Sequence, residues 1–144
     1  MKKTTKLTLF LYFIAVGFAL TSCVPEEEET PTPTDERDKF VGSWKCEENS
    51  SINGNSTFTV DINKSTTEKS QVILENFYNY GFNKTAIATV SGNTLTIPSQ
   101  TFSGTNTLSG SGTLSADGKK IQSLNYTVND GSSDDNCTAI LTKQ

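Results

Sequence analysis

The chain has no histidine and, after Met1, no methionine. The missing imidazole removes the commonest general base, the commonest nitrogen ligand for a metal and the usual protonation switch near neutral pH. Apolar residues make up only 33% of the 144 residues, with Ser, Thr and Asn in their place. So lean a composition buries a modest core and leaves room for one domain. Long apolar runs are also missing. The one sustained run, Leu7 to Leu20, spans 14 residues, too short to cross a bilayer but the length of a secretory signal core. No basic cluster follows it, and nothing in the charge pattern attracts nucleic acid.

What is there begins with a basic start, Met1-Lys2-Lys3-Thr4-Thr5-Lys6, ahead of that run, which ends in Leu20-Thr21-Ser22-Cys23. This ending resembles the lipobox of bacterial lipoproteins. The resemblance implies a signal peptide over 1–22 and a lipid on Cys23, with a membrane as the partner. Val24 follows, not the aspartate of inner-membrane retention, and then Pro25-Glu26-Glu27-Glu28-Glu29. That acidic run resembles the export signal of surface-exposed lipoproteins of the Bacteroidetes, and implies an outer-membrane, cell-surface location. Without Lys2, Lys3 and Lys6 the net charge is −7, four of the negatives lying in this run. Thr30-Pro31-Thr32-Pro33-Thr34 continues a tether over 23–34, which at ~3.1 Å per extended residue reaches ~40 Å. The folded domain is expected over 35–144.

Two further cysteines, Cys46 and Cys137, lie near the two ends of that domain. An even pair in an oxidising compartment is expected to form one disulfide. In the chain-entropy model, a closed loop of about ninety residues is worth ~4–5 kcal/mol. No histidine or further thiol stands by to complete a metal site around them.

From Asp35 onward, runs of Val, Ile, Thr, Phe and Tyr alternate with Asn, Gly, Ser and Asp, and no stretch keeps a helical period beyond one turn at 35–41. Eight strands are expected, over 43–48, 56–62, 71–77, 84–90, 94–101, 107–115, 119–128 and 136–143. Eight strands in up-and-down order place the first and last antiparallel, so they close an all-β barrel. Pairing Cys46 with Cys137 sets Trp44 opposite Ala139, both facing inward. The expected interior is Trp44, Phe58, Val60, Ile62, Val72, Leu74, Ala86, Ala88, Val90, Leu95, Ile97, Leu124, Tyr126, Val128, Ala139 and Leu141. Loops 63–70, 91–93 and 116–118 fall at the tethered end with Trp44. Loops 49–55, 78–83, 103–106 and 129–135 fall at the opposite, open end.

Gly42-Ser43-Trp44 opening the first strand after a helical turn, with Lys143 ending the last, resembles the G-x-W signature of lipocalins and related calycins. The resemblance implies a lipocalin-like barrel whose tryptophan plugs the closed end, crossed by a terminal basic residue. The whole domain resembles the small lipocalin-like lipoproteins of the Bacteroidetes. It is shorter than a typical lipocalin and lacks the helix that leads into the last strand.

Function is then sought at the open end. Phe77-Tyr78-Asn79-Tyr80-Gly81-Phe82 offers Tyr78, Tyr80 and Phe82 for stacking on a sugar or packing on a protein. The alternative makes Phe77 and Phe82 core residues at strand ends with the tyrosines shielding the loop, and for the phenylalanines it is the preferred reading. Asn129 to Asn136 carries Asp130, Asp134 and Asp135; its spacing is not that of an EF-hand, and such residues are ordinary turn chemistry. No metal or cofactor is implied. Catalysis is not expected: Glu47 and Glu48 point to opposite faces of a strand. Ser109-Gly110-Ser111-Gly112 has no following helix to bind an oxyanion or phosphate. Two readings remain. One is a surface lipoprotein whose barrel holds a small apolar or glycan ligand. The other is a protein-interaction module, an accessory subunit of an outer-membrane complex or a barrel-type protease inhibitor.

Overall fold

A computed structural model describes residues 35–144. Cys23, the signal peptide and the tether lie outside the described residues. A 3-10 turn, Glu36–Lys39, leads into eight strands, β1 Gly42–Ser50, β2 Gly54–Lys64, β3 Gln71–Glu75, β4 Thr85–Ser91, β5 Thr94–Ser103, β6 Asn106–Leu114, β7 Lys120–Asn129 and β8 Asp134–Lys143, with a second 3-10 turn, Phe77–Asn79, between β3 and β4. Each pairs antiparallel with the next, and β1 pairs with β8 to close the barrel. Closure leaves no open sheet edge, which suits a chain with few charges to guard one.

Period-2 alternation assigns the inward side chains. On β1 these are Trp44, Cys46, Glu48 and Ser50, all buried, between exposed Lys45, Glu47 and Asn49. The lower interior is apolar, with Val60, Ile62, Val72, Leu74, Leu95, Ile97, Ile121 and Leu141 sealed from solvent. Phe58, expected inside, packs against this core while half-buried. Gly110 is required by close approach: a Cβ there would come within 2.4 Å of Tyr126 Cβ and 2.5 Å of the Asn125 carbonyl. The β6–β7 spacing therefore explains the glycine in Ser109-Gly110-Ser111-Gly112.

The closed end is built around Trp44 and Arg37. Trp44 Nε1 donates to the Phe40 carbonyl at 2.8 Å. Lys143 Nζ stands 5.3 Å from the Trp44 ring and donates to the Lys39 carbonyl at 3.1 Å. Arg37 donates from Nη1 to the carbonyls of Ser65, Glu68 and Gln71 at 3.0, 3.0 and 3.3 Å. One guanidinium thus ties the entry turn to the 65–70 loop through charge-assisted bonds to these carbonyls.

Two expectations are corrected at the seam. Trp44 pairs with Lys143, not Ala139, and Cys46 pairs with Leu141, while Cys137 pairs with Ser50. The two cysteines are four residues apart along the strands, ~13 Å at the rise of a β-strand, beyond the ~7 Å that a disulfide spans between Cα atoms. Both thiols are free and buried. The slip brings Lys143 onto Trp44 at one end of the seam and Asp135 onto Ser50 at the other. The third strand also stops early. Asn76, expected inside it, takes a left-handed conformation and turns the chain into the mouth loop.

Candidate functional site

The open end carries polar groups where a barrel interior is normally apolar. Asp135, at the start of β8, is 3% exposed. Its Oδ2 accepts from Ser50 Oγ at 2.6 Å, Tyr78 Oη at 2.6 Å and Asn53 Nδ2 at 3.2 Å. Its Oδ1 accepts from Ser51 Oγ at 2.9 Å and the Ile52 amide at 3.1 Å. Burial alone would raise its pKa, but these donors outweigh it and hold the carboxyl at about 2. Asp135 is therefore an anion, and among the described residues no ion pair reaches it.

Tyr78 reaches Asp135 from a strained backbone. Asn76, Tyr78 and Asn79 have φ of 56°, 54° and 55°. Asparagine tolerates this region, but for a bulky tyrosine it costs about 1–2 kcal/mol. The Asn76 side chain braces the segment, donating to the Thr59 carbonyl at 2.8 Å and accepting from the Gly81 amide at 2.7 Å. Strain held this firmly is characteristic of ligand clamps and active sites.

Below Asp135 lies a second buried carboxyl, Glu48. It accepts from Tyr126 Oη and, at 3.3 Å, from Ser56 Oγ. Burial raises its pKa and the Asp135 charge adds to that, against the two donors. Burial likewise pushes the Cys46 and Cys137 thiols up to about 12, so both stay protonated and poorly nucleophilic. The Tyr78 and Tyr126 phenols are raised by burial and by their carboxyl partners, and remain donors.

Aromatic rings fill the space around these carboxyls. Phe77 packs on Tyr126 with centroids 4.7 Å apart and on Phe102 at 6.5 Å. Tyr78 meets Tyr80 edge-on at 5.0 Å, and Tyr80 stacks on Phe102 at 5.4 Å. Above this floor opens a cleft of about 290 Å³, lined by Tyr78, Tyr80, Asn53, Asn106, Asp130 and Asp135 with Ile52, Val128 and Ser133. That is the low end of the range for small-molecule sites. A larger hollow of about 630 Å³ runs along the outer wall between side chains such as Asn49, Asn55, Asn125 and Ile140. Its polar groups are mostly exposed, without the converging buried groups of the mouth.

Of the residues singled out in the sequence, Tyr78, Tyr80, Asp130 and Asp135 share the cleft. Phe82 is 54% exposed on the same rim but lines no part of the cleft, while its neighbour Phe77 is core. Asp134 bonds Asn129 Nδ2 at 2.6 Å and stays outside. Asp130 Oδ1 accepts the amides of Ser132 and Ser133, both at 2.8 Å, shaping its own loop. Ser50, Asn53, Asn106 and Glu48 were missed. Counting by twos from Trp44 places Glu48 and Ser50 inside, a signal present in the sequence.

The barrel has counterparts among solved structures. The structure of EF1p2_mFAP2b bound to DFHBI superposes with a TM-score of 0.51 at 14% identity, over 76% of this chain and 98% of that one. The redesigned beta barrel b11L5F_LGL superposes with a TM-score of 0.54 at 15% identity, over 76% of this chain and 96% of that one. The shared fold is a closed eight-stranded up-and-down antiparallel barrel. At these identities the likeness is one of fold alone. No family model matches the chain, and no curated protein matches its sequence.

Proposed function

We propose that this is a lipoprotein, lipidated on Cys23 and displayed at the outer-membrane surface, whose barrel binds a small polar ligand in the mouth cleft. The observation that carries the binding reading is the Tyr78–Asp135 clamp: a strained aromatic held on a buried anion at the edge of a cleft. The packed rings of Phe77, Phe102 and Tyr126 beneath it favour a polar or glycan ligand at the rim over an apolar one deep in the barrel. The small-molecule complex of EF1p2_mFAP2b offers a precedent for such binding on this fold. The lipobox supports the anchor. Asp35 and Arg37 stand at the Trp44 end of the barrel, opposite the mouth.

A protein-interaction module is the second reading, favoured by Ile52 and Phe82, 58% and 54% exposed on the same rim. Chemical-shift mapping with monosaccharides and small amines separates the two. Shifts confined to residues 50–53, 78–82 and 130–135 are expected. Silence there with every small molecule, alongside co-purification of a stoichiometric protein partner, would replace the ligand reading. Protease shaving of intact cells tests the location: loss of the protein is expected, and full protection would refute surface display.

A further inference from the structure

The charge and ring content of the mouth narrows the class of ligand. The cleft lining contains two carboxylates, Asp130 and Asp135, two tyrosines and two asparagines, and no basic side chain. Lys84 is the one basic residue on the mouth loops, and it lies outside the lining. Asp135 is sealed from water and neutralised by no cation, its charge spread over five neutral donors. These donors satisfy its oxygens, and its negative charge still lines the cleft without a cationic partner among the described residues. Glu48 beneath it adds a carboxyl and no counter-charge. Asp130 uses only Oδ1 in its turn, leaving Oδ2 without a bond among the described residues. Tyr78 and Tyr80 stand edge to face at 5.0 Å, two electron-rich rings beside these negative charges. Rings and carboxylates together, with no basic group, attract a cation of low hydration through the ring quadrupoles and the carboxylate charges.

We propose that the mouth cleft takes an organic cation, a ligand bearing a protonated amine or a quaternary ammonium, held at the Tyr78 and Tyr80 rings in the field of Asp130 and Asp135. This rests on the ligand-binding reading of the same cleft. An amino sugar and a simple alkylammonium share the chemistry, and the test distinguishes them.

Full-length protein in detergent is titrated calorimetrically with choline and with its uncharged isostere 3,3-dimethylbutan-1-ol, then with glucosamine and glucose. The charged member of each pair should bind about tenfold tighter than the neutral one, and the preference should shrink as salt rises. A preference confined to the glucosamine pair identifies an amino sugar; one shared by choline identifies the ammonium group as sufficient. Asp130→Asn, which keeps the turn, and Tyr80→Leu, which keeps bulk without the ring, should each erase most of the preference while circular dichroism stays unchanged. Glucose and the neutral alcohol both binding as tightly as their charged partners would overturn the cation proposal and leave the mouth as a ligand site. Binding of none of the four probes would overturn both.

Discussion

Tyr78 Oη donates to Asp135 Oδ2 at 2.6 Å, joining a mouth loop to the first residues of the last strand. The bond holds a tyrosine in the left-handed region and gives a buried anion one of its five donors. Fold and candidate site meet in this contact.

Tyr78→Phe removes the bond to Asp135 and the one Tyr78 Oη accepts from Asn53 Nδ2 at 2.9 Å, and keeps the ring. A bond to a charged acceptor contributes about 1.5–3 kcal/mol, so urea denaturation should show a loss of that size. Backbone amide exchange over 76–80 should accelerate, because the strain loses its restraint. Unchanged stability and exchange would mean the clamp carries no load.

The two buried carboxyls make opposite contributions to the pH dependence of stability. Asp135 has a folded pKa of about 2, below its unfolded value near 3.8. Its stabilisation is present above pH ~4 and is lost as pH falls toward 2. Asp135→Asn should therefore lower the melting temperature at pH 7 and have far less effect near pH 2. Glu48 has a raised folded pKa; its contribution is full below its unfolded value and declines as pH rises through the folded one. Glu48→Gln should raise the melting temperature at pH 7 relative to the parent and leave it unchanged below pH 4. Parallel melting curves for parent and variant at every pH would refute either assignment.

Cys46 and Cys137 should behave as two buried thiols. In denaturant without reductant both should react with a thiol reagent, and in the folded protein neither should react on the scale of minutes, as burial and a pKa near 12 require. Labelling that appears only after reduction would show a bridge and a different seam register.

Lys143→Ala removes the cation over Trp44 and the bond to the Lys39 carbonyl. The two contacts together should cost about 1–2 kcal/mol, read from denaturation followed by Trp44 fluorescence, with the folded emission shifted to the red. Lys143→Met should recover part of the packing and none of the hydrogen bond. Equal stability for all three proteins would remove Lys143 from the closed end.

Local patterning made much of this legible. Alternation between Val60 and Ile62, or Ala86, Ala88 and Val90, marks strands and their inner faces, since side chains on a strand change sides at every residue. Counting strands in up-and-down order gathers the Tyr78–Tyr80 loop and the Asp130–Asp135 loop at one end. Glu48 and Asp135 were harder to read as interior groups. A carboxyl in a sequence reads as surface until a partner such as Tyr126 or Tyr78, more than fifty residues away, arrives to bond it.

The seam shows where such reading stops. Pairing Trp44 with Ala139 or with Lys143 differs by four residues, an even number, so every side chain keeps the same face in either register. Hydrophobic alternation is blind to that choice, and two cysteines near the ends of the domain favour the register that the structure does not adopt. The choice falls to contacts between distant residues: Lys143 over Trp44 at the closed end, Ser50 and Tyr78 on Asp135 at the mouth. Strand number, strand faces and the ends at which loops gather follow from neighbours along the chain. Register, and with it the thiols left apart and the anion brought into the cleft, follows from packing across the barrel.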